Sequence, residues 1–157
     1  MATQNDKYLT FGLGNETYGI PIRTAKEIIG MQEVTHIPKT KGYMKGVINL
    51  RGKIVPIMDL RLKFEMAEKN YTDRTCIIVI EVNLGANQRA VGVVVDNVTE
   101  VRNIQPGEIE EPGEYGQIEG QLLLGIGKLN DKVILMIDIE KIINKDDAVI
   151  LEKTLME

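Results

Sequence analysis

The chain has 157 residues, 43% of them hydrophobic and 27% charged, with no tryptophan, one histidine and one cysteine. That size and balance describe a soluble globular chain able to bury one core or two small ones, and no apolar run approaches the ~18 residues that span a bilayer. A net charge of −4 argues against a dedicated nucleic-acid binder, whose phosphate contacts need a basic surface.

Along the chain, short apolar runs alternate with turn signals, the pattern of an all-β protein with short helices. The first residues carry neither a charged n-region nor an apolar h-region, so no secretion signal is expected. Residues 8–13 and 17–22 flank Gly14-Asn15-Glu16 as a first hairpin. The spacing over 24–29 predicts a short helix. Residues 47–50 and 53–58 flank Arg51-Gly52 as a second hairpin, where glycine suits the turn. Pro56 lacks an N–H, which predicts an edge strand or a bulge. Asp59 is placed to cap a short helix over 60–64. Arg51 is the puzzle of this hairpin, because a turn needs Gly, Asn or Asp but not Arg.

After a polar linker at 65–73, residues 75–82 and 89–95 form a third hairpin around 83–88. Cys76 begins it and is expected as a small buried hydrophobe; as a lone cysteine it allows no internal disulfide and suits a reducing cytoplasm. Residues 105–121 are the longest irregular stretch, a candidate binding loop. Residues 122–129 and 132–137 flank Asn130-Asp131 as a fourth hairpin, followed by a short helix at 139–143 and a helical tail at 144–157. Lys39, Lys41, Lys45, Arg51 and Lys53 cluster in one half, whereas Glu108, Glu110, Glu111, Glu114 and Glu119 crowd the late loop. Such asymmetry steers a protein partner or is a solvated surface of mixed charge.

The chain repeats itself. Residues 46–64 align without gaps on 125–143, placing Gly46 on Gly125, Leu50 on Leu129, Lys53 on Lys132 and Asp59 on Asp138. Upstream, Gly19, Ile22, Ala25, Glu27 and Ile28 fall on Gly92, Val95, Val98, Glu100 and Val101. One domain over 8–143 is therefore expected, built from strand–strand–helix–strand–strand–helix units at about 8–64 and 75–143. Each unit is too small for a large core, so the two pack together or exchange strands. Arg51 and Gly52 do not recur; Asn130 and Asp131 stand at the equivalent turn, so the hairpin does not require Arg51.

Catalytic chemistry is hard to find. His36 is the only histidine and has no nucleophile and orienting acid at a recognisable spacing; with Cys76 it makes no zinc ligand set. No phosphate loop or calcium loop occurs, so neither cofactor nor metal is expected and the chain is read as no enzyme. The alternative of a small-barrel nucleic-acid binder needs stacking aromatics among basic groups, yet only Tyr43 lies in the basic cluster. What remains is a scaffold whose surface is its function.

The run Gly46-Val-Ile-Asn-Leu-Arg-Gly, then Pro56-Ile-Met-Asp-Leu60, resembles the CheW-like family of bacterial chemotaxis coupling proteins. Ile20-Pro-Ile-Arg-Thr-Ala-Lys-Glu-Ile28 before it and Val91-Gly-Val-Val-Val-Asp-Asn-Val98 after it extend the resemblance to residues 8–143. The resemblance implies two five-stranded SH3-like barrels packed side by side and a cytoplasmic, non-enzymatic adaptor in receptor arrays beneath the membrane, without membrane insertion. The implied partners are the hairpin tip of a chemoreceptor's cytoplasmic part and the regulatory domain of the histidine kinase CheA. The receptor tip would lie in a groove between the barrels, against Ile22, Ala25, Ile28 and Val98 with Leu9 at the margin. Glu27 and Arg51 match the charged pair at that site. Ala25 departs from the larger aliphatic residue often found there. Kinase contacts are implied at barrel ends, with no residue assigned.

Overall fold

β-Branched runs such as Ile77-Ile-Val-Ile80 and Val93-Val-Val95 favour extended backbone, and they lie in the two longest strands of the protein. The computed structural model describes residues 6–38, 42–84, 87–113, 122–143 and 147. In chain order the strands are β1 (Lys7–Leu13), β2 (Glu16–Pro21), β3 (Ala25–Gly30), β4 (Met44–Leu50), β5 (Lys53–Asp59), β6 (Cys76–Leu84), β7 (Asn87–Val95), β8 (Asn97–Asn103), β9 (Ile109–Glu110), β10 (Leu123–Lys128) and β11 (Val133–Ile137). Two one-turn helices, α1 (Leu60–Lys63) and α2 (Ile139–Ile142), follow β5 and β11, and 3-10 turns occupy Ile22–Thr24 and Pro106–Glu108.

The strands form two sheets, ordered β8-β1-β2-β11-β10-β9 and β3-β6-β7-β5-β4. Each repeat thus gives its first hairpin to the other repeat's sheet: β1 and β2 join β8–β11, and β6 and β7 join β3–β5. Each guest hairpin attaches by an antiparallel ladder on one side, β1 to β8 and β6 to β3, and by a parallel pair on the other, Leu135 beside Tyr18 and Met58 beside Val93. One sheet has the five expected strands; the other has six, the sixth being the two-residue β9.

Strand alternation gives each sheet two buried faces. On β6, Ile77 and Val79 face a core inside the five-stranded sheet, shared with Ile48, Val55, Ile57 and Val94. Ile78, Ile80 and Val82 face the opposite way, into the largest cluster, where Leu9, Phe11, Leu13 and Ile20 of the other sheet meet them. A third, smaller cluster (Ile104, Ile134, Met136) fills the six-stranded sheet. The two small barrels are therefore joined by a shared apolar layer.

Several sequence expectations change. Residues 24–29 do not form a helix: β3 is a strand laddered to β6, with Ile28 opposite Ile78. Its aligned partner β8 is also a strand, pairing with β1, so the first repeat reads five strands and a helix, and the second adds the two-residue β9 before its last hairpin. Tertiary pairing overrides the helical spacing here. Pro56 is not on an edge strand, because β5 lies between β4 and β7. It stands opposite Val47, and the ladder to β7 begins one residue later at Ile57. Residues 83–84 and 87–88 are paired strand rather than loop. Cys76 is half-buried, its thiol donating to the Arg74 carbonyl at 3.2 Å. The expected helical tail lies outside the described residues, Asp147 excepted.

Candidate functional site

Residues 50–53 form a two-residue hairpin turn in which both central residues have positive φ, 51° at Arg51 and 85° at Gly52. That geometry matches the twist of the flanking strands and normally selects Asn-Gly or Gly-Gly. The Gly52 N–H is secured by the Asn49 side chain at 2.8 Å. Arginine at the first position is strained by its Cβ. Among the described residues, Glu65 is the one other non-glycine residue with positive φ.

The Arg51 side chain reaches β3. Its guanidinium grips Glu27 bidentately, Nη1 donating to Oε1 at 2.8 Å and Nη2 donating to Oε2. The hydrogen bond from Arg51 holds the Glu27 carboxyl below its ordinary value, reinforced by the positive charge. The same pair raises the Arg51 pKa. Yet the Arg51 side chain is 69% exposed, and exposed ion pairs contribute little stability. A strained residue holding a surface pair is poorly explained by folding alone.

Around this pair the expected apolar residues fall into three settings. Ile28, next to Glu27 on β3, is 43% exposed. Ile22, Ala25 and Val98 are half-buried and rest on the inter-sheet core. Leu9 is only 1% exposed. Leu9 fills the inter-sheet layer and lies behind the other candidate residues. The site straddles both sheets: Ala25, Glu27, Ile28 and Arg51 belong to one, Val98 to the other, and Ile22 sits in the turn between them.

Two further clusters were not legible as such. Arg102 on β8 pairs bidentately with Asp131 at the β10–β11 turn, both bonds 3.1 Å, and touches Glu100. The repeat alignment of Glu100 on Glu27 was the one available signal. Asp96, between β7 and β8, accepts from Arg61 at 2.8 Å; nothing local in the sequence joins those two.

The CheW-like domain family matches residues 7–147. The chain belongs to the CheW family. It is 39% identical over 151 residues to the chemotaxis protein CheW of Klebsiella aerogenes, covering 96% of this chain and 89% of the relative. It is 35% identical over 141 residues to that of Helicobacter pylori, covering 89% and 82%. Among solved structures, the scaffolding protein TtCheW from Thermoanaerobacter tengcongensis superposes with a TM-score of 0.79 at 33% identity, covering 94% of this chain and 91% of that one. A CheW-family chain of this fold is a chemotaxis coupling and scaffolding protein. The nucleic-acid reading gains no support: Phe11 is buried and stacks on Tyr18, which packs against Phe64, so these rings build the core rather than a base-stacking platform. Among the described residues, no three His, Cys, Asp or Glu side chains gather to hold a metal, and no helix is long and apolar enough to cross a membrane.

Proposed function

We propose that this CheW-family protein joins the helical-hairpin tip of a chemoreceptor's cytoplasmic part to the regulatory domain of the histidine kinase CheA, acting without catalysis in receptor arrays beneath the membrane. The receptor tip docks where the two sheets meet. Ile22, Ala25, Ile28 and Val98 supply apolar contact, and Glu27 with Arg51 orients the helices through charge-assisted hydrogen bonds. The observation that carries this reading is Arg51: its left-handed backbone and its bond to Glu27 fix an exposed guanidinium on the strand that also carries exposed Ile28.

A handful of such side chains is enough for a modest affinity, since a fully buried isoleucine contributes about 1.5–3 kcal/mol and a micromolar complex needs about 8 kcal/mol. The test is calorimetry of the full chain with a receptor signalling fragment and, separately, with the kinase regulatory domain. Binding of both is expected; binding of neither overturns the adaptor reading. An Arg51→Ala protein that loses the kinase but keeps the receptor would move the charged pair to the other partner.

A further inference from the structure

The chain crosses between its two sheets at two joints that border the candidate site. The first runs from β2 to β3 through the 3-10 turn Ile22–Thr24, steadied by the Thr24 hydroxyl donating to the Pro21 carbonyl at 2.7 Å. The second is a single residue, Asp96, between the end of β7 and the start of β8. A one-residue joint between two sheets transmits any rotation directly into both.

Asp96 is held from several directions. Its N–H donates to the Gly12 carbonyl of β1 at 3.0 Å. Its Oδ2 accepts from the Gly14 N–H at the β1–β2 turn and from Arg61 Nη1, both at 2.8 Å, with Lys69 Nζ at 3.9 Å. Arg61 lies on α1, directly after β5 of the five-stranded sheet, and its Nε donates to the Ala67 carbonyl of the inter-repeat linker at 3.1 Å. The paired side chains are only 15% and 10% exposed. One carboxylate therefore ties a turn of the six-stranded sheet to the helix that follows strand β5 of the five-stranded sheet, at the point where the chain changes sheets. A charge-assisted bond in such a sheltered place is stronger and more directional than an exposed pair.

We infer that Asp96 and Arg61 are a positioning pair that sets the angle between the two sheets, and through it the spacing of Glu27, Ile28 and Arg51 on one sheet from Val98 on the other. Neither residue touches the docked partner. Their effect on docking rests on the receptor reading above, whereas their effect on the inter-sheet angle does not.

The experiment uses the full chain carrying Cys76→Ser, with spin labels at Arg89→Cys on β7 and Lys128→Cys on β10, one exposed site on each sheet. A control pair, Lys53→Cys and Arg89→Cys, lies within the five-stranded sheet. Asp96→Asn and Arg61→Gln are expected to broaden or shift the inter-sheet distance distribution while leaving the control distribution unchanged. Arg61→Lys, which keeps a cation, should restore the wild-type distribution in large part. Affinity for the receptor fragment should fall about tenfold in Asp96→Asn. An unchanged inter-sheet distribution in Asp96→Asn overturns the inference, and so does equal broadening of the control pair, which would mean general loosening. Loss of affinity with no change in distance overturns it as well. If the wild-type chain binds no receptor fragment, the receptor reading fails, and the distance distributions still decide whether this pair sets the angle.

Discussion

Two guanidinium–carboxylate pairs link a third strand to a later hairpin turn in the two halves of the molecule, with opposite polarity and at positions that do not align, Arg102 falling on Ile29 and Asp131 on Gly52. In the first half the acid, Glu27, is on strand β3 and the base, Arg51, is on the β4–β5 turn. In the second half the base, Arg102, is on β8 and the acid, Asp131, is on the β10–β11 turn. Both link a repeat's third strand to the turn of its last hairpin, so each half joins these two elements by a polar contact. The differences lie in backbone and surroundings. Arg51 sits at a φ of 51°, whereas neither Asn130 nor Asp131 of the second turn has a positive φ. Arg102 is 25% exposed and has Glu100 as a second partner; Arg51 is 69% exposed and grips one acid. The second half shows that the link forms without strain, so the strain in the first half points to a demand beyond folding.

The sharpest contrast between the halves lies in the matched glycines Gly46 and Gly125. Gly46 has a φ of 139°, and a Cβ there would lie 1.9 Å from the Thr35 carbonyl oxygen, a backbone atom. At Gly125 the nearest atom is the Ile109 Cγ2 methyl at 2.6 Å, a side-chain atom, with the Glu110 carbonyl oxygen farther off at 3.3 Å. Strain and overpacking cost about 1–3 kcal/mol each. Gly46→Ala should therefore lose about 4 kcal/mol in urea unfolding, and Gly125→Ala about 1–2 kcal/mol. Equal losses would show that the halves tolerate a methyl alike.

A smaller contrast separates the matched helix caps. Asp59 and Asp138 each accept a backbone N–H at 3.3 Å, from Leu62 and Lys141. Asp59 is only 3% exposed and also accepts from the Tyr71 hydroxyl at 2.7 Å. Burial above all, then that bond, pushes the Tyr71 pKa well above its ordinary value. Asp138→Ala should cost about 1 kcal/mol for the lost cap. Asp59→Ala should cost about 2–3 kcal/mol, because it also leaves the Tyr71 hydroxyl without its acceptor. Thermal unfolding of both variants checks the ratio.

These contrasts also show how much was legible in the sequence. The four hairpins and both caps could be read from periodicity, because each depends on neighbours within a few residues. Strand β3 could not: Ala25, Ile28 and Ile29 fit a helical stripe, and only the ladder to β6, some fifty residues away, makes them a strand. The exchange of first hairpins between repeats is similarly non-local. Within the site, the repeat singled out Arg51 by leaving it unmatched, but the contact with Glu27 entered only through family resemblance. Leu9 entered through the same resemblance, and its alternation with Phe11 and Leu13 marks a buried face of β1.

Function should divide the two charged pairs more cleanly than stability does. Arg51→Ala is expected to weaken the receptor fragment about tenfold, the loss of one oriented charged contact, while Arg102→Ala leaves that affinity unchanged. Arg51→Gly adds a test of opposite signs: it relieves the left-handed backbone, so the unfolding temperature should hold or rise, yet binding should fall as in the alanine variant. A glycine variant that loses stability and binding together would make Arg51 a structural residue, and the comparison between the halves would collapse.

The smallest expected effect is with pH. The hydrogen bond from Arg51 lowers the Glu27 pKa, and the bond from Arg102 lowers that of Asp131. A carboxyl depressed in the folded state contributes stability above its unfolded value and loses it as pH falls through the folded value. Both pairs should therefore stay closed from pH ~8 down to ~5, with receptor affinity flat over that window unless the partner titrates. Below the ordinary carboxylate range both open, but only protonation of Glu27 should weaken binding. An NMR titration of the two carboxyl carbons, run beside affinity measurements on wild type and Arg102→Ala, separates them. The acid limb of binding should follow Glu27 and be the same in both proteins. An acid limb that shifts when Arg102 is removed would instead place the second pair in the docking surface.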